Sequence, residues 1–180
     1  MGASGWTSTS MPYLTPRAGG SADAWTQETR DAGRRGGQRV VYAGEAAAPA
    51  AVALMLDLAE GDLVIVRRRV IELDGEPTEL TDTYYPVDVA AGTALARAGK
   101  IRGGAVTLLA ALGHVGARVV EEVTARAPSE EERGLLRMDA GEPVLRLARA
   151  TRDAAGRAIQ AEVMVMPAGR GRLRYEIEVG

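Results

Sequence analysis

Two stretches of this chain, VIVRRRVIELDGEPTELTDTYYP (residues 64–86) and PVLRLARATRDAAGRAIQAEVMVMP (143–167), share one layout. Each has a basic extended run, a turn carrying Asp and Gly, and a return run that ends in Pro. The interval from the turn glycine to that proline is the same in both, Gly75 to Pro86 and Gly156 to Pro167. Extended runs joined by so short a turn pair with each other, antiparallel, so the chain is committed to two long hairpins. Hairpins of this kind need a covered apolar face, and the rest of the sequence must supply the cover.

The remaining segments fit that demand. A helix is expected from Ser21 or Asp23 to Gly33, a strand over 39–44, and a second helix from Pro49 to Gly61. Further on, 103–113 has helical length, 117–128 alternates as a strand, and Ser129 with Glu132 forms a capping box that opens a helix over 129–136. A last strand is expected over 172–179. Helices and strands are interspersed without regular βαβ alternation. The fold class is therefore α+β, a mostly antiparallel sheet with helices packed on it. Residues 1–20 are rich in Ser, Thr, Gly and Pro and read as a linker or arm ahead of one domain, 21–180. Trp6, Met11, Tyr13 and Leu14 are too apolar for a solvated tail, so part of the arm is expected against the body or a partner.

Composition removes several kinds of chemistry. The 180 residues contain no cysteine and one histidine, His114, which leaves no thiolate chemistry and no histidine cluster for a metal. His114 follows a helix-ending glycine and reads as a surface or cap residue. The formal net charge of −2 gives no general pull toward nucleic acid or anionic membrane. No run approaches the roughly 20 apolar residues that span a bilayer, and no signal-like stretch opens the chain. A cytoplasmic protein without membrane contact is expected.

The three consecutive arginines, Arg67, Arg68 and Arg69, then require an explanation. Side chains alternate along a strand, so Arg67 and Arg69 share one face while Arg68 joins Val64, Val66 and Val70 on the other. A three-residue Leu73-Asp74-Gly75 loop gathers Arg67, Arg69, Glu79, Thr81, Thr83 and Tyr85 on one polar face; a two-residue loop mixes the faces. The three-residue loop is the expectation. That polar face either meets water, with weak exposed ion pairs, or is covered to make a pocket in which guanidinium forks hold an anion.

The order of these segments resembles the UTRA effector-binding domain of GntR-type transcriptional regulators of the HutC subfamily. The resemblance rests on VIVRRRVIELDGEPTELTDTYYP, GGAVTLLAALG, VVEEVTARAPSEEERGLLRMDAGEPVLRLARATRDAAGRAIQAEVMVMP and LRYEIEV, with DAWTQETRDAG as the opening helix. It implies a chorismate-lyase-like fold, usually a homodimer, that binds a small effector and signals to a winged helix-turn-helix. That DNA-binding domain is missing from this chain, so DNA contact is expected only through such a domain, and Arg30, Arg34, Arg35 and Arg39 read as solvated charges. No metal, cofactor or catalytic residue is implied.

Family members that bind amino-sugar phosphates place two arginines on the first strand, and these positions fall on Arg69 and Ile71. The hairpin carboxylate position is Thr81, and a later acidic position is Gln160, with Glu162 next on its face. Phosphate contacts near the opening helix fall on Trp25 and Thr26. The departures shift the expectation to an organic acid or an amphiphile with one anionic group. The candidate ligand-binding residues are Arg67, Arg69, Thr81, Thr83, Tyr85, Gln160, Glu162, Trp25 and Thr26, with Met164 and Met166 beside them. The alternatives are a chorismate-lyase-like enzyme acting on a small carboxylate, with Arg69 orienting it and Glu79 or Glu162 as acid or base, and a ligand-free dimerisation scaffold. A buried Arg69 without a carboxylate partner favours a pocket.

Overall fold

The computed structural model describes residues 6–18 and 21–177. Its frame is a six-stranded antiparallel sheet in the order β2 (Gly36–Ala47), β3 (Leu63–Leu73), β4 (Glu76–Pro86), β7 (Ala158–Pro167), β6 (Val144–Arg152), β5 (Arg118–Arg126). The two hairpins, β3–β4 and β6–β7, thus lie side by side with their return strands in contact.

The first turn differs from expectation. Asp74 and Gly75 both take left-handed conformations, φ 55° and 88°, and close a two-residue loop between the paired residues Leu73 and Glu76. This is the loop whose twist matches that of the strands. The three-residue loop does not form. Instead the pairing steps from Glu72–Pro77 to Ile71–Glu79, leaving Thr78 as an extra residue in β4. One inserted residue exchanges the faces of everything beyond it. Arg67 and Arg69 therefore still share a face with Thr83 and Thr81, their direct partners.

The second hairpin repeats the device, stepping from Arg152–Ala158 to Thr151–Gln160 across Ile159. Thr78 and Ile159 occupy the same place after Gly75 and Gly156, so the equal glycine-to-proline intervals reflect equal strand geometry. Between β4 and β7 the pairs Thr81–Met164 and Thr83–Glu162 flank Asp82–Val163 symmetrically. An approximate two-fold relation at that pair carries β4 onto β7, β3 onto β6 and β2 onto β5. Under it Arg69, opposite Thr81, corresponds to Arg149, opposite Glu162.

The back face of the sheet is apolar. Val64, Val66, Tyr84 and Ala161 pack on Val52, Ala53 and Leu56 of α3 (Ala50–Leu56). Val70, Leu80, Val144 and Val165 pack on Leu136, which follows α6 (Glu130–Leu135). Full burial of such side chains contributes about 1.5–3 kcal/mol each and fixes which face is which. Helix α3 stops at Leu56, short of Gly61, because Asp57 turns left-handed with φ 58°. The capping box of α6 forms as expected, with the Glu132 amide 3.1 Å from the Ser129 hydroxyl and the Ser129 amide 2.8 Å from the Glu132 carboxylate.

The front face is covered piecemeal. Ile65 and Tyr85 lie under Val89 and Ala90 of α4 (Val87–Ala90), Leu95 of a 3-10 turn (Ala94–Ala96) and Leu109 of α5 (Ala105–Ala111). At the other end β1 (Trp6–Ser8) pairs in parallel with β8 (Gly171–Leu173). The arm continues through α1 (Met11–Leu14) toward α2 (Ala24–Asp31). The last strand expected over 172–179 is thereby shortened. β8 finds only the three residues of β1 as a partner, so residues 174–177 lie outside the strand and 178–180 outside the described residues.

Candidate functional site

The three arginines of β3 have three different environments. Arg68 points to the back, where Nε and Nη2 bond the Asp82 carboxylate at 2.8 and 2.7 Å and Nη1 reaches Glu131 at 2.7 Å. Arg67 points to the front and is 3 % exposed. Its guanidinium donates to the carbonyl oxygens of Arg97 and Gly99, tying down the loop between the 3-10 turn and α5. Burial pushes its pKa down, since no carboxylate offsets the lost hydration.

Arg69 is half-buried on the front face with no carboxylate within ion-pair distance among the described residues. Nη2 lies 3.2 Å from the Thr83 hydroxyl and Nη1 3.4 Å from the Gln38 side-chain oxygen, while the buried Nε–H has no partner. An unpaired buried donor on a cation is costly unless something else meets it.

What adjoins it is a cavity of about 170 Å³ between the sheet's front face, the arm, α2, α5 and β8. Six arginines line it (Arg17, Arg67, Arg69, Arg149, Arg170 and Arg172) against three carboxylates (Asp23, Glu79 and Glu162). Its apolar wall is formed by Met164, Met166, Ile71 and the indoles of Trp6 and Trp25, which meet edge to face at 5.1 Å. Trp25 is held by Nε1–H bonds to the carbonyls of Gly37 and Glu72, at 3.2 and 3.1 Å. Beta-carbon-free Gly36 lets that helix approach: a Cβ there would meet the Thr29 hydroxyl at 2.5 Å and Trp25 Nε1 at 2.7 Å.

Arg149 borders the same cavity but is fully engaged. Its Nε bonds Glu121 at 2.6 Å, Nη1 bonds Glu162 at 3.0 Å, and Nη2 bonds the hydroxyl of Ser10 in the arm at 3.1 Å. Ser10 in turn donates to Glu121 at 3.0 Å. Burial opposes the Arg149 charge, but the two carboxylates outweigh it and raise its pKa. For Glu121 burial works upward, and the bonds from Ser10, Arg149 and Tyr175 overcome it and hold the carboxyl below its usual range. Glu79 lacks such support. Its burial pushes the carboxyl up, against the Thr81 hydroxyl bond and the Arg69 charge that pull it down.

The candidates read from the sequence separate accordingly. Arg67, Arg69, Thr81, Gln160, Glu162 and Trp25 line the cavity. Thr83 lies beneath it, accepting from Arg69 and donating to Glu162 at 3.4 Å. Tyr85 is fully buried beside them in the apolar cluster under α4 and α5, its hydroxyl unpaired among the described residues. Thr26 is turned away, bonding its helix cap Asp23 at 2.9 Å and lining a neighbouring crevice with Lys100. Sequence reasoning passed over Arg149, Arg170 and Arg17, and expected Trp6 and Tyr13 against the body or a partner without assigning them to the site. The hairpin repeat carried only an indirect signal for Arg149: aligned on Gly75 and Gly156 it falls on Arg68, and only the strand pairing, opposite Thr81 and Glu162, sets it on Arg69.

A family model described as the UTRA domain matches residues 31–171. The chain belongs to the UTRA family. A curated relative, an uncharacterized HTH-type transcriptional regulator of Streptomyces coelicolor, is 34% identical over 137 residues, covering 73% of this chain and 50% of its own length. The UTRA chain thus spans about half the length of the curated relative it matches. Among solved structures, a protein assigned to the GntR family of transcriptional regulators aligns with TM-score 0.81 and 28% identity over 99% of this chain and 71% of that one. The C-terminal domain of the histidine utilization repressor from Pseudomonas syringae aligns with TM-score 0.64 and 27% identity over 81% of this chain and 100% of that one. The effector domain of PhnF from Mycobacterium smegmatis, at TM-score 0.74 and 22% identity over 92% of this chain and 99% of that one, shares the fold. That fold is the chorismate-lyase-like α+β arrangement. The relatives are regulator domains, and no helix among the described residues is long and apolar enough to cross a membrane.

Proposed function

We propose that this UTRA domain is the small-molecule sensor of a GntR-type regulator of the HutC subfamily, acting in the cytoplasm as a homodimer and without enzymatic activity. Residues 21–180 form the effector-binding unit in this reading, and residues 1–20 the arm that leads to a DNA-binding domain. DNA contact then belongs to that other domain. The effector is an organic acid or an amphiphile with one anionic group, held between the front face of the sheet and the arm.

The observation that carries the proposal is the state of Arg69, a cation on the cavity wall with a buried Nε–H that has no partner, and no carboxylate within ion-pair distance, among the described residues. A scaffold without a ligand has no use for such a group, whereas an incoming anion pairs it. Gln160, buried on the same wall, and the two methionines supply a polar handle and an adaptable apolar surface.

The test is a thermal-shift screen across phosphosugars, organic acids and aromatic or lipid-like carboxylates. The expected result is saturable stabilisation by an organic acid, which follows from binding to the folded state alone, and its loss in Arg69→Ala. No stabilisation by any class overturns the sensor reading. A monomer persisting at high micromolar concentration in sedimentation overturns the dimer.

A further inference from the structure

We infer that the arm supplies a ligand-contacting residue, Trp6, whose indole N–H meets a neutral oxygen acceptor on the effector. This rests on the effector-binding reading of the cavity and adds a second recognised group to the ligand: besides its anion it carries a keto, ester or ether oxygen.

Among the described residues three buried side-chain polar atoms have no hydrogen-bond partner: Arg69 Nε, Trp6 Nε1 and the Tyr85 hydroxyl. Arg69 and Trp6 line the same cavity, one on the sheet and one on the arm that covers it. The two indoles of the cavity make the comparison direct. Trp25 Nε1–H is answered twice, by the carbonyls of Gly37 and Glu72, and Trp6 Nε1–H by nothing among the described residues. A buried indole N–H ordinarily has an acceptor, because a donor stripped of water and left unpaired is costly.

Trp6 is held in place from several sides. Its backbone N–H bonds the Arg170 carbonyl at 3.1 Å, it pairs with Gly171 of β8, and its ring meets Trp25 edge to face. The arm beyond it is tied at Ser10 to Arg149 and Glu121, at Tyr13 to Glu28, and at the Arg17 amide to the Thr107 hydroxyl, 3.0 Å away. The unmet donor is therefore fixed before any ligand arrives, which lowers the cost of using it. Trp6 lies ahead of residues 31–171, so this contact comes from outside the region that matches the UTRA family.

The surroundings set the chemistry of the missing partner. An indole N–H donates and cannot accept, and it carries no charge to offset the dehydration of an anion. The corner around it is apolar: a Cβ on Gly171, the partner of Trp6, would lie 3.6 Å from the Met166 sulfur. Arg170 spends its guanidinium on the carbonyls of Leu136 and Arg137, and Arg172 is exposed to water. A neutral oxygen fits such a corner, at the far end of a ligand whose apolar stretch rests on Met164 and Met166.

The test uses two pairs of acids that differ in one carbonyl oxygen: para-acetylbenzoate against para-ethylbenzoate, and levulinate against pentanoate. Isothermal titration of the wild-type protein should favour the keto acid of at least one pair by about three- to tenfold, the worth of one neutral hydrogen bond. Trp6→Phe, which keeps an aromatic ring against Trp25, should bring that ratio to about one. A second measurement reads the donor in the wild type: in the proton–nitrogen spectrum the favoured keto acid should move the Trp6 indole resonance downfield, and its partner without the oxygen should not. Binding without a keto preference, a preference that survives Trp6→Phe, or equal shifts of the indole resonance by both members of the pair overturns the inference and leaves the sensor reading standing. No binding of any of these acids counts against both.

Discussion

Replacing Arg149 with methionine would test whether the buried charge cluster holds the arm to the sheet. The substitution leaves a side chain of similar length but removes all three donors, those bonded to Glu121, Glu162 and Ser10 at 2.6, 3.0 and 3.1 Å. The side chains of Glu121 and Glu162 are 12% and 11% exposed, so neither carboxylate regains full hydration in place. Removing one partner of such a buried pair costs about 3–5 kcal/mol, because a buried charge is left uncompensated. At about 2–4 °C per kcal/mol for a domain of this size, the expected fall in Tm is about 6–20 °C.

The pH dependence separates this cause from loss of packing. In the wild type Glu121 has a folded pKa below its unfolded value, near 4.3. Its contribution is therefore complete above that value and fades as pH falls through the folded one. In Arg149→Met the Glu121 carboxyl is buried without a cation, which pushes its pKa up, so protonation relieves the variant already above pH 4.3. The stability gap should be widest at pH 7.5 and narrow steadily toward pH 5. Urea unfolding at both pH values measures it, with Glu121→Gln/Glu162→Gln added to the variant to restore most of the loss. A gap below about 1 kcal/mol, or one independent of pH, would refute the reasoning, since exposed pairs behave that way.

Two further predictions concern the cavity walls. Gly36→Ala should cost about 1–3 kcal/mol by overpacking against Thr29 and Trp25 and shift the tryptophan emission, whereas Gly37→Ala, whose Cβ would meet only the Glu72 side chain at 3.4 Å, should leave both nearly unchanged. Equal effects of the two would mean that the close approach of α2 does not set the cavity's shape. Glu79→Gln should raise Tm at pH 7.5: burial lifts the Glu79 pKa in the folded state, so its ionised form opposes folding above the unfolded pKa of about 4.3. That advantage should vanish below about pH 4, and a lower Tm for the variant at pH 7.5 would contradict it.

Much of the frame was legible in the chain because it depends on short-range rules. Asp74-Gly75 marks the first turn, Ser129 and Glu132 cap α6, and alternation over β3 assigns its faces. The face shared by Arg67 and Arg69 was assigned correctly through a loop that does not form, since an extra loop residue and an extra strand residue have the same effect on parity. The bulge at Thr78 leaves no local mark in the sequence and shows only once β3 and β4 are paired. The same holds for the shortened last strand, whose end depends on how far β1 extends beside it.

The site was only half legible for a related reason. Arginines on strands look alike until their neighbours are known, and those neighbours come from strands far apart in sequence. Arg68 is satisfied by Asp82 and Glu131, and Arg67 by two carbonyls of a loop about thirty residues on. Arg149 is satisfied by acids of β5 and β7 and by the arm. Of the four guanidiniums Arg67, Arg68, Arg69 and Arg149, three are thus answered by the protein itself. The repeat that shows the hairpins to be related also shows which acids the fourth lacks, so the unanswered cation at Arg69 is a specific omission within a motif the chain completes elsewhere. Such an omission costs stability in the empty domain. In the proposed sensor reading, the same omission would make the domain's stability depend on an anion, which is the property a sensor requires.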